Sequence, residues 1–208
     1  MKIGAMQKTT AAITLRTARN MAGLAALALL AGCISLAGKA PKLLIGLTPD
    51  RTAAAGAMAG GKVGDALVVL DPQVDRKLDV LRVAVQVNAT EIAYLKDATW
   101  VERPARLMRH LLAEAIRAKG QRLVLEASDD VSGAKQTLAG RLIDLGYDSR
   151  SQSVVVRYDA MRSNAQGLIE ARRFEAVVPG VSANGPAVAA ALNRAANDVA
   201  GQVADWVG

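Results

Sequence analysis

The chain has 208 residues, 51% hydrophobic and only 3% aromatic, with 26 Lys+Arg against 19 Asp+Glu and a formal net charge of +7. One cysteine and one histidine exclude an internal disulfide framework and any Cys/His metal cluster, and so few aromatic rings leave little platform for stacking nucleic-acid bases. The length suits one domain with a sizeable core.

The first residues read as a targeting segment. Residues 1–20 carry Lys2, Lys8, Arg16 and Arg19 and no acid, and residues 21–32, MAGLAALALLAG, are wholly apolar or small. A basic stretch, a short apolar core and a small-residue exit is the plan of a secretory signal. The apolar run is too short to span a bilayer, which needs about 20 residues. Leu30-Ala31-Gly32-Cys33 resembles the lipobox of bacterial lipoproteins. In that group the thiol takes a diacylglyceryl group, the chain is cut just before it, and the new amino group is acylated as well. The resemblance implies a signal peptide over 1–32 and lipid attachment at Cys33. No cofactor is expected beyond the diacylglycerol and N-acyl lipid there. One acyl chain holds a protein to a membrane marginally, whereas two or more hold it stably. Removal of the signal leaves 22 basic residues against 19 acidic, a balance of +3. That is too mild for a nucleic-acid binder.

Residues 33–65 are rich in Ala, Gly, Lys and Thr and read as a lipid-anchored tether, with "KLLIGL" (42–47) as a first strand inside it. Gly56-Ala-Met-Ala-Gly-Gly61-Lys62 fits the opening of a phosphate-binding loop, but the next residue is Val63 where a Ser or Thr hydroxyl is needed to hold magnesium. The adjoining segment, "DALVVLDP" (65–72), reads as a strand, whereas a phosphate loop opens a helix. The stretch is an Ala/Gly linker.

The folded domain is expected over 66–208. In "DVLRVAVQV" (79–87), Leu81, Val83, Val85 and Val87 alternate with Arg82, Ala84 and Gln86, the period of a strand with one buried face. Asn88-Ala89-Thr90 reads as a turn and "EIAYL" (91–95) as a short returning strand. Pro104 suits the first turn of a helix. Leu107, Met108, Leu111, Leu112, Ala115 and Ile116 form its apolar face. Arg106, Arg109, His110, Glu114 and Arg117 fall on other faces, and Gly120 stops the helix. Strands come next at "RLVLEA" (122–127), "QTLAGRLIDLGY" (136–147), "SVVVRYDA" (153–160) and "GLIEARRFEAVV" (167–178). The last three have short connections and read as an antiparallel meander. An Ala-rich helix from about Pro186 to Val207 closes the chain, with Val188, Leu192, Ala195, Val199, Val203 and Trp206 at spacings of three or four. The fold class is α+β: one largely antiparallel sheet with two main helices packed on it, behind a signal peptide and a flexible tether.

No catalytic constellation emerges. His110 sits mid-helix beside arginines and reads as a surface residue. Asp129-Asp130 is an isolated acidic pair in a turn-like stretch, short of the oxygen ligands a cation needs. Of Arg172 and Arg173, which point to opposite faces of a strand, one is expected in solvent and the other paired. The scarce aromatics carry more information: Tyr94 and Trp100 flank the junction between hairpin and helix. Each either covers the sheet or stands at a partner interface, where tryptophan is enriched among binding anchors.

The ordered set of lipobox, tether, "EIAYLKDATWVERPARLMRHLLAEAI" (91–116), "EARRFEAVVP" (170–179) and "AVAAALNRAANDVAGQVADWV" (187–207) resembles the ABC-type transport auxiliary lipoproteins, the PqiC-like group. The resemblance implies a non-catalytic protein facing the periplasm. Its partners would be an Mce-domain protein and an ABC permease/ATPase complex that moves phospholipid or other hydrophobic molecules. It also implies a homo-oligomeric ring. Ile34 stands directly after the cysteine in place of the aspartate that resembles an inner-membrane retention signal, so the outer membrane is the expected address. A structural or regulatory envelope lipoprotein that scaffolds or activates a cell-wall enzyme is the alternative, sharing anchor, tether and mixed fold.

Overall fold

The structure, a computed structural model, describes residues 43–120, 122–127, 129 and 131–208. The signal segment and Cys33 lie outside the described residues, as do Ser128 and Asp130.

Nine strands form one sheet: β1 (Leu43–Ile45), β2 (Leu67–Val69), β3 (Gln73–Val74), β4 (Arg82–Gln86), β5 (Ile92–Trp100), β6 (Val124–Glu126), β7 (Gln136–Asp148), β8 (Ser153–Ser163) and β9 (Ile169–Val178). Among the described residues two α-helices accompany them, α1 (Pro104–Arg117) and α2 (Gly185–Val207). The long strand β7 is the spine. Along one edge it pairs antiparallel with β8, which pairs antiparallel with β9, giving the expected meander. Along its other edge it pairs in succession with β2, β3 and β4, all parallel. Beyond these, β6 runs parallel to β2, β5 antiparallel to β4, and β1 parallel to β5. The sheet is therefore largely antiparallel by length of pairing, with short parallel additions on one side.

Local chemistry sets the turns. At the β4–β5 hairpin the Asn88 side-chain carbonyl accepts from the backbone N–H of Thr90 (3.0 Å) and Glu91 (2.9 Å). Between β8 and β9 Asn164 does the same for Gln166 (3.0 Å) and Leu168 (2.9 Å), and Gly167 takes φ +81°. Such side-chain mimicry of a backbone turn is why Asn is favoured there. Asn184 caps α2 by accepting from Ala187 N–H at 3.0 Å, and Pro186 sits in the first turn. Gly120, at φ +66°, ends the α1 region.

The helices cover one face of the sheet. Leu138, Leu142, Leu145 and Tyr147 of β7, Val154, Val156, Tyr158 and Ala160 of β8, and Phe174 of β9 are buried there. They join Leu107, Met108, Leu111, Leu112 and Ile116 of α1 and Val188, Leu192, Ala195, Val199 and Val203 of α2 in one core. Alanines on α2 (Ala191, Ala195, Ala196, Ala200) let that helix approach closely.

Three expectations need correction. Of the alternating set in β4, Val83 is buried, but Leu81 and Val87 are exposed and Ala84 is buried instead. The strand spans only Arg82–Gln86, so Leu81 and Val87 fall outside it, and β5 and β7 flank its two edges. The returning strand runs to Trp100 rather than ending at Leu95, because a bulge with Asp97 at φ +57° resets the register between Ala84↔Tyr94 and Arg82↔Thr99. Finally, part of the stretch read as tether belongs to the body. β1 is paired, Thr48 N–H donates to Asn193 Oδ1 (2.7 Å), Asp50 N–H to Asn197 Oδ1 (2.8 Å) and Ala53 N–H to Glu114 Oε1 (2.8 Å).

Candidate docking face

The face of the meander opposite the helices is open and ionic. Lys77 Nζ lies 2.7 Å from Asp144, Asp144 also pairs with Arg157, and Arg157 Nε reaches Glu175 at 2.5 Å. One rung away, Arg173 holds Asp159 with two bonds of 2.5 and 2.7 Å. That arginine depresses the Asp159 carboxyl pKa, so the acid stays ionised. Directly opposed residues on antiparallel strands share a face, which is why β7, β8 and β9 build these rows. Beside them a groove of about 380 Å³ is lined by Lys77, Gln86, Ile92, Gly146, Asp148 and Arg157. Gly146 is what lets β4 close against β7 there: a Cβ would sit 2.5 Å from the Ala84 carbonyl.

A second charged cluster joins α1 to β6. Arg109 Nε donates to Glu126 Oε2 (3.1 Å) and its Nη1 to Asp71 (2.9 Å), while Arg117 Nη1 donates to Glu126 Oε1 (3.0 Å). His110 Nδ1 is 2.5 Å from the same Glu126 Oε2, and the Glu126 N–H donates to Asp129 (2.8 Å). Burial alone would raise the Glu126 pKa, but the arginine hydrogen bonds and the neighbouring cationic groups outweigh it and the pKa is lowered. The carboxylate clamps α1 to β6 through Arg109, Arg117 and His110. By helical spacing Arg109 falls on an outer face. The structure buries it to 6% exposure, because Glu126 and Asp71 supply its counter-charges. A basic residue next to an apolar heptad row, with an acid ending the next strand, was the only signal available.

The residues singled out from sequence fall in different places. Tyr94 is half-buried under the Arg82 guanidinium, 3.9 Å from its ring centroid, and lines a surface cavity of about 580 Å³ with Leu43, Leu95, Asn184 and Pro186. Trp100 is 1% exposed, so its reading as an interface anchor is overturned. It turns inward because the bulge at Asp97 shifts the strand's parity, and it packs in the core with Ile45 and Ala98. Its indole Nε1 is the one buried side-chain polar atom without a hydrogen-bond partner among the described residues. Arg172 rests 5.2 Å over the Phe174 ring on the helix face, while Arg173 is the paired member. Gly56–Lys62 is exposed, and Val63–Asp65 forms a single 3₁₀ turn before β2, with no α-helix to receive a phosphate. No helix among the described residues is long and apolar enough to cross a membrane.

The family model for the ABC-type transport auxiliary lipoprotein component matches residues 47–204. The chain belongs to that family. The match begins just after β1 and ends within α2, so it takes in the core, the meander and the ionic face. The fold of this family member is similar to the crystal structure of protein XCC0632 from Xanthomonas campestris, of the DUF330 family. That likeness has TM-score 0.66 at 18% identity and covers 79% of this chain and 94% of that one. A crystal structure described as an uncharacterized protein gives TM-score 0.63 at 14% identity, covering 80% of this chain and 99% of that one. No curated protein matches in sequence.

Proposed function

We propose that the protein is a non-catalytic component of an Mce-type ABC transport system for phospholipid or other hydrophobic molecules. In this reading it is anchored at the outer membrane through acylated Cys33 and faces the periplasm. The observation that carries the reading is the family match over 47–204 standing directly behind the Leu30-Ala31-Gly32-Cys33 box. Nine residues lie between Cys33 and the first strand at Leu43, and the ten steps between them reach at most roughly 35 Å fully extended. The body is thus held close to whichever membrane takes the lipid.

The division of labour rests on the chemistry. Acyl chains on Cys33 supply the anchor. The ionic face, the adjoining groove and the Tyr94 cavity supply polar and apolar contacts suited to a protein partner, an Mce-domain protein or the permease/ATPase complex. The ionisable cluster at Glu126 is internally matched and serves the fold.

The test is complementation. A strain lacking the gene should show altered phospholipid distribution between its two membranes. The full chain should restore it and Cys33→Ser should not, although the variant body stays folded. Restoration by a non-acylated chain would defeat the anchor. An unchanged lipid distribution in the deletion strain would defeat the transport role.

A further inference from the structure

The meander ends at β9, which pairs with β8 on one side and with no strand on the other among the described residues. It is a ten-residue strand, and all of its residues except Phe174, Ala176 and Val178 are exposed. A long bare edge is a template for another strand; charged residues on it discourage indiscriminate pairing, so a strand that joins must set opposite charges against them.

The charges on β9 are not scattered. On the open face they continue two rows in which sign alternates across β7, β8 and β9, the first headed by Lys77 from the turn after β3. One row runs Lys77, Asp144, Arg157, Glu175, and the other Arg141, Asp159, Arg173. Both rows stop at the bare edge, one on an acid and the other on a base, two residues apart on the same face. We propose that β9 pairs antiparallel with β9 of a second copy about a two-fold axis through Phe174, setting Arg173 against Glu175 of the other copy and Glu175 against its Arg173.

This register is selected by the sequence. If both copies keep their helices on the same side of a continuous sheet, opposed residues must share a face, so the axis passes through a residue rather than between two. Centring on Arg173 or on Glu175 sets like charges directly opposite, which is destabilising. Centring on Phe174 makes both rows run through the seam without a break in alternation. It also sets Ala171 against Val177 of the other copy, and Val177, now 49% exposed, gains an apolar neighbour on each side of the axis. The contact is isologous and closes on itself, so it yields pairs. A ring would need a different, head-to-tail contact. The pairing does not depend on the transported molecule or on the anchor.

Disulfide trapping tests it in the full chain in its own membrane. In Ala171→Cys/Val177→Cys the two thiols within one chain lie about 20 Å apart along the strand, far beyond the roughly 7 Å between Cα atoms that a disulfide tolerates. A bond can therefore form only between copies. Mild oxidation should convert most of the double variant to a reducible dimer, while Ala171→Cys and Val177→Cys alone stay monomeric. Adding Arg173→Glu, which faces Glu175 with a like charge at both ends of the seam, should lower the dimer yield at least tenfold. Arg172→Glu, on the other face, should not, and thermal melting confirms that each variant is folded. No dimer above the single-cysteine background would overturn the proposal. So would a ladder beyond dimer, which marks a head-to-tail joint, a dimer from either single variant, or indifference to Arg173→Glu.

Discussion

Arg109 on α1 and Glu126 on β6 face each other at 3.1 Å with side chains only 7% and 11% exposed, and Glu126 is shared with Arg117 and His110. Removing one member of a buried pair strands the other, at a cost of roughly 3–5 kcal/mol. Glu126→Gln should therefore lower stability by an amount in that range in urea unfolding at neutral pH. Replacing both partners with apolar residues of similar volume should cost much less.

The same pair sets a pH dependence. The folded-state pKa of Glu126 lies below its ordinary value of 4.5, since the arginine and histidine partners outweigh burial, which acts the other way. A depressed carboxylate contributes its stability above the unfolded pKa and loses it as pH falls through the folded pKa. The gap between the native chain and Glu126→Gln should be constant above about pH 5 and close on acidification toward pH 2. Urea midpoints measured across that interval check it. A gap that widens on acidification would contradict the assignment.

Two glycines should respond with opposite sign. At Gly140 an added Cβ would lie 2.3 Å from the Asp159 carbonyl oxygen and 2.6 Å from the Tyr158 ring. The alanine variant should lose about 1–3 kcal/mol by overpacking. At Gly201, inside α2, nothing lies within 4 Å. Alanine there should gain up to about 1 kcal/mol from helix propensity. Thermal melts of the two variants give the comparison directly.

Trp100 and Tyr94 separate a core residue from a surface one. Trp100→Ala should cost about 3–5 kcal/mol through the cavity it leaves. Trp100→Phe should cost far less, because the indole Nε1 has no hydrogen bond to lose. Tyr94→Ala should move stability by about 1 kcal/mol or less. Calorimetry on the three variants distinguishes these outcomes.

Much of this fold was legible in the sequence, for physical reasons that also explain what was not. The meander was readable because β7, β8 and β9 are long, adjacent in the chain and joined by Asn- and Asp-bearing turns. Both helices were readable from spacing and from their Pro starts. Strands β2 and β4 were readable too, but not their parallel pairing with β7, which is made across a helix, and the two-residue β3 leaves no local pattern. The inward turn of Trp100 depends on the bulge at Asp97, where "KDAT" carries no period of two. Burial of Arg109 depends on Asp71 and Glu126, distant in sequence. At the docking face the rows become visible only when Arg157 meets Glu175 and Asp144. Arg173, by contrast, was expected to be the paired or the exposed member of its doublet, and Asp159 decides which.

Asn193 and Asn197 fasten the lead-in to α2. Asn197 Nδ2 donates to the Thr48 carbonyl at 2.9 Å while its Oδ1 accepts from Asp50 N–H. Asn197→Ala should cost about 1 kcal/mol per bond lost. Amide exchange should become faster at Thr48 and Asp50 but not in β7. Hydrogen exchange resolved by residue measures both.

The most direct test of the transport reading is to purify the acylated protein from its own membranes in mild detergent and identify by mass spectrometry what comes with it. Recovery of an Mce-domain protein with its permease and ATPase, together with phospholipid, is the predicted result. Recovery of cell-wall enzymes in their place would contradict the account.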